Sequence, residues 1–340
     1  MKESLAVMGA FVLVGTMAAY GYRALALPSQ TTAIHHVVEV PEGASFKEVA
    51  NLLAQKGLIV SPFWFRIMGK VQDAERKIQP GEYDLHTAML PAEILNALVK
   101  GRVIQYSVTV PEGLTARQIG KLLEEARMAK QTDVARLAAD AAFVKSLGVE
   151  AKTLEGYLFP DTYHFPRRTK PEDVLRAMVH RFKEAYTPEL RAKAAAFGMT
   201  ERHVVTLASI IEKETGRDDE RPLISAVFHN RLKKRVPLQS DPTVIYGIRN
   251  FSGNLTRADL SRRTPFNTYT RLGLPPGPIA SPGLRSIQAA VNPSPVKYLY
   301  FVSKNDGSHH FSVTLEEHNR AVHRYQKKRG ARRAAVRKAA

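Results

Sequence analysis

The sequence predicts an α+β protein with two domains behind an N-terminal hydrophobic segment. Three observations carry this prediction. The 340 residues are 44% hydrophobic and 24% charged, which is enough for one large core or two modest ones. Strand-like stretches alternate with short helical patterns up to Val110, whereas residues 114–197 have a mostly helical pattern. An uncharged run, Ser4–Tyr22, precedes both regions.

The uncharged run is the first predicted element. It has about the length that a helix needs to cross the hydrocarbon core of a bilayer, so we expect a transmembrane anchor within residues 1–26 with a short cytoplasmic end. A cleavable signal peptide is the alternative, because Ala24 and Ala26 have the spacing of a cleavage site. The absence of cysteine excludes disulfides, thiol nucleophiles and thiolate metal sites.

Residues 34–106 follow as a small α+β module. Its first strand, His36–Val40, leads into a turn and a helix that Ser45 caps. The remaining elements are a helix near Ser61, a strand at Gly81–Leu85, a helix at Pro91–Leu98 and a strand at Val103–Val110.

Residues 107–325 form the larger predicted domain. It begins with the turn Val110–Gly113, which repeats the Val40–Gly43 turn of the first domain. Glu155 and Asp161 lie in a loop that is predicted from a nearby glycine and proline. Both acidic residues are therefore candidate ligand contacts. Capping or turn hydrogen bonds explain the same residues equally well.

The central helix of this domain is predicted from Glu201 to Thr215, with Thr200 as its N-cap and Gly216 as a left-handed stop. Glu212 and Glu214 both fall inside or at the edge of its apolar arc, 200° apart at 100° per residue. A carboxyl group in apolar surroundings has a raised pKa and can act as a general acid near neutral pH. Side chains that reach out to water are the alternative.

Polar residues with a candidate role in binding cluster beyond this helix. Asn230 and Arg231 end a helix predicted from Pro222 to Leu232, and Pro265–Pro282 is an irregular ordered loop that suits one wall of an extended groove. The remaining candidates are Gln239, Asp241 and Tyr246, which surround a proline, and Asn267 and Tyr269, which lie on the loop.

A strand at Tyr298–Val302 is predicted to pair with Ser308–Ser312 across an Asp-Gly turn. The adjacent His309 and His310 point to opposite faces of such a strand, so no metal site is predicted, and no other cofactor is either. Residues 326–340 are predicted to form a basic disordered tail, because Arg324–Ala340 contains eight Lys or Arg and no acid. No nucleic-acid recognition module accompanies these charges, so nucleic acid is not an expected partner.

The central helix also carries a family resemblance. The segment Leu207–Thr215 (LASIIEKET) resembles the signature helix of the endolytic murein transglycosylases, the MltG or YceG-like family. Further blocks match in order on both sides of it: Leu154–Thr162 with Tyr163, Val227–Leu232, Leu238–Gly247, Asn267–Tyr269, Gly273–Ile279 and Tyr298–Val302. The resemblance covers residues 110–325 and implies that the first domain is LysM-like.

The resemblance implies a lyase that cuts peptidoglycan glycan strands between N-acetylmuramyl and N-acetylglucosaminyl units. Glu212 is then the catalytic residue, and Ser209 and Glu214 on the same helix are predicted to bind substrate. A lytic transglycosylase needs one acid, because the C6 hydroxyl of the muramyl residue closes on C1 in place of water. A cell-wall binding or scaffold protein and a muramidase-type hydrolase are the alternatives, and Asp241 is the second acid to consider for a hydrolase. The family also implies an extracytoplasmic catalytic body at the inner membrane, termination of glycan strand elongation and peptidoglycan synthases as partners.

Overall fold

The computed structural model describes residues 2–249, 251 and 253–327. The chain divides into two compact units. The N-terminal unit contains the residues up to Ser107 together with His164–Thr169, and the C-terminal unit contains Val108–Tyr163 and the residues from Lys170 onward. The described residues combine many helices with three two-stranded sheets, so the predicted mixed α+β class is confirmed.

The N-terminal unit is built around one antiparallel strand pair. Strands β1 (His35–Val40) and β2 (Gly81–His86) pair with Val38 opposite Tyr83, so that both side chains enter the core. The predicted N-cap at Ser45 is confirmed, and the structure extends it to a capping box: the Glu48 amide donates to Ser45 Oγ and the Ser45 amide donates to Glu48 Oε2. The elements in order are α1 (Lys2–Ala26), β1 (His35–Val40), α2 (Phe46–Gln55), α3 (Pro62–Val71), β2 (Gly81–His86) and α4 (Pro91–Val99).

Helix α1 covers the uncharged run at the start of the chain. Among the residues that the structure describes, no helix combines the length and the apolar character needed to cross a membrane. The predicted transmembrane anchor is therefore not supported. The last turns of α1 lie against α3, where Gly21 leaves room for the ring of Trp64.

From Tyr106 onward the chain is mostly helical. Its strands are β3 (Tyr106–Thr109), β4 (Thr162–Phe165), β5 (Tyr300–Ser303) and β6 (His309–Ser312). Its helices are α5 (Ala116–Glu125), α6 (Gln131–Ala139), α7 (Ala141–Ser146), α8 (Pro171–Ala185), α9 (Pro188–Ala196), α10 (Glu201–Glu214), α11 (Arg221–Lys233), α12 (Asp241–Tyr246), α13 (Arg257–Ser261), α14 (Leu284–Val291) and α15 (Leu315–Val322), followed by a π-helical turn at His323–Lys327.

Helix α10 is the centre of the C-terminal unit. Every residue from Val204 to Ile211 is buried, because α9, α11, α12 and α14 all pack against this helix. Its predicted N-cap is confirmed, since Thr200 Oγ1 accepts a hydrogen bond from the His203 amide. The predicted left-handed stop at Gly216 is wrong: Thr215 already leaves the helix with an extended backbone, and Gly216 has no positive φ.

Two other predictions about the C-terminal unit agree with the structure. Strands β5 and β6 form the expected hairpin, with Tyr300 opposite Ser312. Residues 262–283, all of which the structure describes, contain neither helix nor strand. Most of the predicted basic tail, from residue 328 onward, lies outside the described residues.

Candidate functional site

The Glu212 carboxylate is held at the end of α10 by two donors. Arg221 Nη2 lies 3.2 Å from Glu212 Oε1, and the Gly283 amide donates to Glu212 Oε2 at 3.0 Å. The side chains of Glu212 and Arg221 are only 6% and 5% exposed, so solvent screens this ion pair weakly. A buried carboxylate at the edge of a helix is thus fixed from a second helix, α11, and from the loop before α14.

Arg221 also contacts two other acidic side chains near Glu212. Its Nη1 donates to Asp218, its Nε donates to Ser286 Oγ at 3.0 Å, and its Nη2 lies 3.8 Å from Glu112 Oε2. The two carboxylates of Glu112 and Glu212 therefore approach the same guanidinium nitrogen. We call Glu112, Glu212, Asp218, Arg221 and Gly283 the arginine cluster.

Glu112 reaches the arginine cluster from the Val110–Gly113 turn. Its carboxylate lies against Gly283, at a place that a β-carbon on residue 283 would occupy. Burial, and then the charge of Glu212, raise the pKa of Glu112, and Arg221 and Arg285 oppose this rise. Since 46% of its side chain is exposed, Glu112 is the member of this carboxylate pair that solvent reaches most easily.

Hydrogen bonds connect this turn to a side chain of α10 and to the backbone of the loop before α14. The Gly113 amide donates to the Ser281 carbonyl at 2.8 Å, and the Ser281 amide donates to the Leu114 carbonyl at 2.7 Å. Lys213 Nζ donates to the Gly113 carbonyl at 3.2 Å. Three segments that are distant in sequence are thereby fixed around the arginine cluster.

Glu214 belongs to a second polar group on another side of α10. Ser240 Oγ donates to Glu214 Oε1 at 2.5 Å, and next to Ser240 the Tyr269 hydroxyl donates to Asp241 Oδ1 at 2.6 Å. Burial of its carboxyl group raises the pKa of Glu214 to about 7, although the hydrogen bond from Ser240 lowers it. Glu214 can therefore hold a proton near neutral pH.

Glu155 is a second carboxyl group with a pKa near neutrality. Its Oε1 accepts a hydrogen bond from the Ala116 amide at 3.0 Å, and its Oε2 accepts one from the Tyr246 hydroxyl at 3.1 Å. Burial raises the pKa of Glu155 to about 7 against the effect of these two donors. Tyr246 in turn packs on Phe266, with ring centroids 4.8 Å apart.

Two comparisons of the sequence identify the family. The model of the YceG-like family matches residues 38–324. This chain belongs to the YceG-like family. An endolytic murein transglycosylase of Bacillus subtilis (strain 168) is 34% identical over 308 residues, which cover 85% of this chain and 84% of the Bacillus protein. An endolytic murein transglycosylase of Streptococcus pneumoniae serotype 2 (strain D39) is 29% identical over 317 residues, covering 84% of this chain and 57% of the pneumococcal protein.

A solved structure agrees with this assignment. The crystal structure of a yceG-like protein from Listeria monocytogenes matches with a TM-score of 0.59 and 32% sequence identity, over 84% of this chain and 98% of that chain. The family resemblance carried by Leu207–Thr215 is thus confirmed, and the relatives bear the name of the predicted enzyme class.

Several predicted site residues of this YceG-like chain form hydrogen bonds with neighbouring loops and not with the arginine cluster. Asn230 donates to the carbonyls of Val296 and Tyr298, and Arg231 donates to the Leu299 and Leu238 carbonyls and to Gln239 Oε1. These bonds connect the end of α11 to the neighbouring loops. Gln239 itself has a left-handed backbone with φ of 52°.

Three other predicted residues form hydrogen bonds with partners outside the arginine cluster. Ser209 is fully buried, donates to the Thr206 carbonyl and accepts from the Ile279 amide. Asn267 is also fully buried, and its side-chain amide donates to the carbonyls of residues 259, 260 and 262. Asp161 accepts a hydrogen bond from Arg181 Nε at 2.6 Å.

The sequence singles out Glu212 through the family resemblance, but it does not indicate the residues that contact Glu212 in this YceG-like chain. Glu112, Arg221 and Gly283 come from three separate segments. The repeated Pro-Glu-Gly turn was one available signal for Glu112. For Arg221 and Gly283 the sequence offered none, because only folding brings residues 71 positions apart, such as Glu212 and Gly283, into contact.

Proposed function

We propose that this chain is an endolytic lytic transglycosylase that cuts peptidoglycan glycan strands between N-acetylmuramyl and N-acetylglucosaminyl units. The observation that carries the proposal is the buried Glu212 carboxylate in the arginine cluster, on the helix that bears the family motif. The names of the Bacillus and pneumococcal relatives supply the reaction class.

In the proposed reaction, the protonated Glu212 gives its proton to the glycosidic oxygen as the bond from C1 to that oxygen breaks. The C6 hydroxyl oxygen of the muramyl residue then bonds to C1, and its proton passes to the Glu212 carboxylate. The products are a free hydroxyl on one strand and a 1,6-anhydromuramyl end on the other. No water is consumed and Glu212 is regenerated.

Glu112 is assigned the role of proton partner. Glu212 forms an ion pair with Arg221, so it has to gain a proton before it can donate one. Glu112 approaches the same guanidinium nitrogen, has a raised pKa and is the more exposed carboxylate. A proton held by Glu112 can pass to Glu212 as substrate covers the site.

The Glu112 and Glu212 pair also favours a second candidate, a muramidase-type hydrolase. Hydrolases of glycosidic bonds use two carboxylates, one as an acid and the other as a base or nucleophile. The same two residues would then activate a water molecule, and the product would carry a reducing end in place of the anhydro ring.

Mass spectrometry of digested glycan strands tests both candidates. Anhydromuramyl ends support the transglycosylase, and reducing ends support the hydrolase. If no new ends form, the protein binds the glycan without cleaving it. Glu212→Gln is expected to lower the rate at least about a hundredfold without loss of folding, because the amide cannot donate and recover a proton.

Glu112→Gln in the same assay tests the proton partner, and Glu42→Gln is its control because Glu42 is exposed in the repeated turn. We expect a loss of roughly tenfold or more for Glu112→Gln and none for Glu42→Gln. Full activity of a folded Glu212→Gln variant would contradict the catalytic assignment, and full activity of Glu112→Gln would remove only the role of Glu112.

The substrate class also suggests where the protein works. We propose that the C-terminal unit acts outside the cytoplasmic membrane, that it ends glycan strand elongation beside peptidoglycan synthases, and that the N-terminal unit is a LysM-like module. A C-terminal reporter enzyme that folds only outside the cytoplasm should be active. Activity confined to a reporter that works only in the cytoplasm would contradict this location.

A further inference from the structure

The C-terminal unit contains a cavity of about 970 Å³ that does not include the arginine cluster. It opens between the first half of α10, the second half of α11 and two proline-containing loops, residues 271–276 and 293–296. This volume is in the range of sites that hold a compact organic ligand.

The charge of the cavity wall has one sign. Arg202, Lys233 and Arg271 line it together with His203 and His229, and no aspartate or glutamate does. Within the described part of the chain, none of these three cations forms an ion pair. Their positive charge is thus available to a ligand.

Arg271 carries the most specific signal in this cavity. Its Nη1 donates to the Pro265 carbonyl, whereas its Nε is buried and has no hydrogen-bond partner. A buried donor without a partner costs free energy, which an acceptor oxygen of a bound ligand would recover. The guanidinium group therefore offers a site for a carboxylate or a phosphate oxygen.

The other residues of the cavity wall indicate whether a carboxylate ligand or a phosphate ion fits the cavity better. Phe197, Leu274 and prolines 275, 276, 293 and 295 give the cavity rigid apolar surfaces. A ligand that fills this space needs apolar groups next to its anionic ones, as a peptide with free carboxylates has. A single phosphate ion would leave the apolar surface uncovered.

The cavity is separate from the proposed catalytic residue. His203 precedes Glu212 by nine residues, which places it about 13 Å along α10 and on the opposite side of the helix. An extended peptide of five residues spans at most about 18 Å. That length does not carry a peptide around a helix whose residues 204–211 are all buried, so a stem that enters the cavity belongs to another muramyl residue than the one at Glu212.

We propose that this cavity binds the peptide stem of peptidoglycan through the free carboxylates of the stem. The assignment rests on the proposed function, because that function supplies a substrate with such a peptide. The stem contributes affinity and orients the strand, while the arginine cluster acts on the sugar.

A binding experiment with a soluble stem peptide tests the cavity without any need for catalysis. A fluorescent pentapeptide with free carboxylates is compared with the same peptide in which every carboxylate is amidated, by fluorescence anisotropy. We expect the amidated peptide to bind at least roughly tenfold more weakly. Equal binding of the two peptides would overturn the proposal.

Variants then locate the binding site. Arg202→Gln combined with Lys233→Gln removes two exposed cations of the cavity, and Lys234→Gln is the matched control because Lys234 is the exposed neighbour that does not line it. The double variant should weaken binding of the free-carboxylate peptide roughly tenfold, and the control should leave it unchanged. Unchanged binding in a folded double variant would contradict the proposal.

Kinetics with two substrates separate this inference from the proposed function. With stem-bearing glycan, the double variant should raise KM and leave kcat unchanged, whereas with peptide-free glycan neither constant should change. An equal change on both glycans would contradict a stem site. If the wild-type protein cuts neither glycan, the proposed function fails, and the anisotropy experiment still decides whether the cavity binds the peptide.

Discussion

Arg221 is the residue on which the acidic side chains of the candidate site converge. It is buried and contacts Glu212, Glu112 and Asp218. The buried Glu212 carboxylate relies on the guanidinium charge to offset the cost of leaving water, whereas Glu112 and Asp218 are about half exposed. Arg221 therefore has a structural role as well as an electrostatic one.

We expect Arg221→Gln to lower the free energy of unfolding by about 3 to 5 kcal/mol, because it leaves the buried Glu212 carboxylate without its counter-charge. Arg217→Gln is the control, since Arg217 is half exposed and pairs with the exposed Asp219. Its effect should be at most about 1 kcal/mol. Urea unfolding measures both, and equal stabilities would show that Arg221 offsets no such cost.

Glu214 should make stability depend on pH. Its pKa is about 7 in the folded protein and lower in the unfolded chain, so the folded state binds more protons between these values. Stability should therefore fall as pH rises from about 4.5 to 7, and Glu155 should add to the fall in the same way.

Glu214→Gln is expected to remove roughly half of this decrease, because the variant keeps Glu155 but has no ionisable group at position 214. Thermal unfolding of both proteins at pH 5 and pH 7.5 measures the difference. Identical decreases in the two proteins would mean that the Glu214 carboxyl group is well solvated.

At the scale of elements, the loop that leads into α14 determines how closely Glu112 approaches the site. Gly283 has a φ of −74°, which any residue can adopt, so its conformation does not require glycine. Glycine is required here for steric reasons, because a β-carbon at this position would overlap the Glu112 carboxylate.

Gly283→Ala should therefore displace Glu112 and lower glycan cleavage roughly tenfold, with little change in the unfolding midpoint. Gly277→Ala is the matched control on the same loop, because a β-carbon there meets nothing within 4 Å. Cleavage rates and thermal unfolding of both variants test this. If Gly283→Ala retains full activity, the close approach of Glu112 is not needed for the reaction.

The sequence predicted single elements better than their ends and contacts. Helix α10 was predicted from its N-cap and its apolar pattern, which are local properties, and it begins as expected at Glu201. Its end was predicted one residue too late, because Thr215 has an extended backbone. No residue next to Thr215 in the sequence indicates that conformation.

In the candidate site, too, some residues can be predicted from the sequence and others cannot. The apolar pattern of the helix predicts both Glu212 and Glu214 as candidate acids, and only the family resemblance selects Glu212. Arg221 and Gly283 could not be predicted, since their role depends on contacts between distant segments. Polar residues such as Asn267 looked available for a ligand, but the structure buries Asn267, which holds the backbone of its own loop.

At the scale of the whole molecule, the positive charge is unevenly distributed along the chain. The formal net charge is +18, of which Arg324–Ala340 contributes +8. Cationic segments of this kind are attracted to anionic surfaces, and salt screens the attraction.

Truncation after Tyr325 should weaken adsorption of the protein to anionic vesicles at low ionic strength, because it removes seven Lys and Arg residues. Cleavage of soluble glycan should stay unchanged, since no residue of the arginine cluster is lost. Cosedimentation at two salt concentrations measures the adsorption. If adsorption survives the truncation, the rest of the chain carries the interaction.

The complete burial of α10 from Val204 to Ile211 has a consequence for motion. Amide protons in a segment with no exposed face exchange with solvent only when the surrounding structure opens as a unit. We expect these amides to be among the slowest to exchange in the C-terminal unit. Glu212 then extends from a nearly immobile support, and any rearrangement that admits a long polymer has to come from the loops that lie over it.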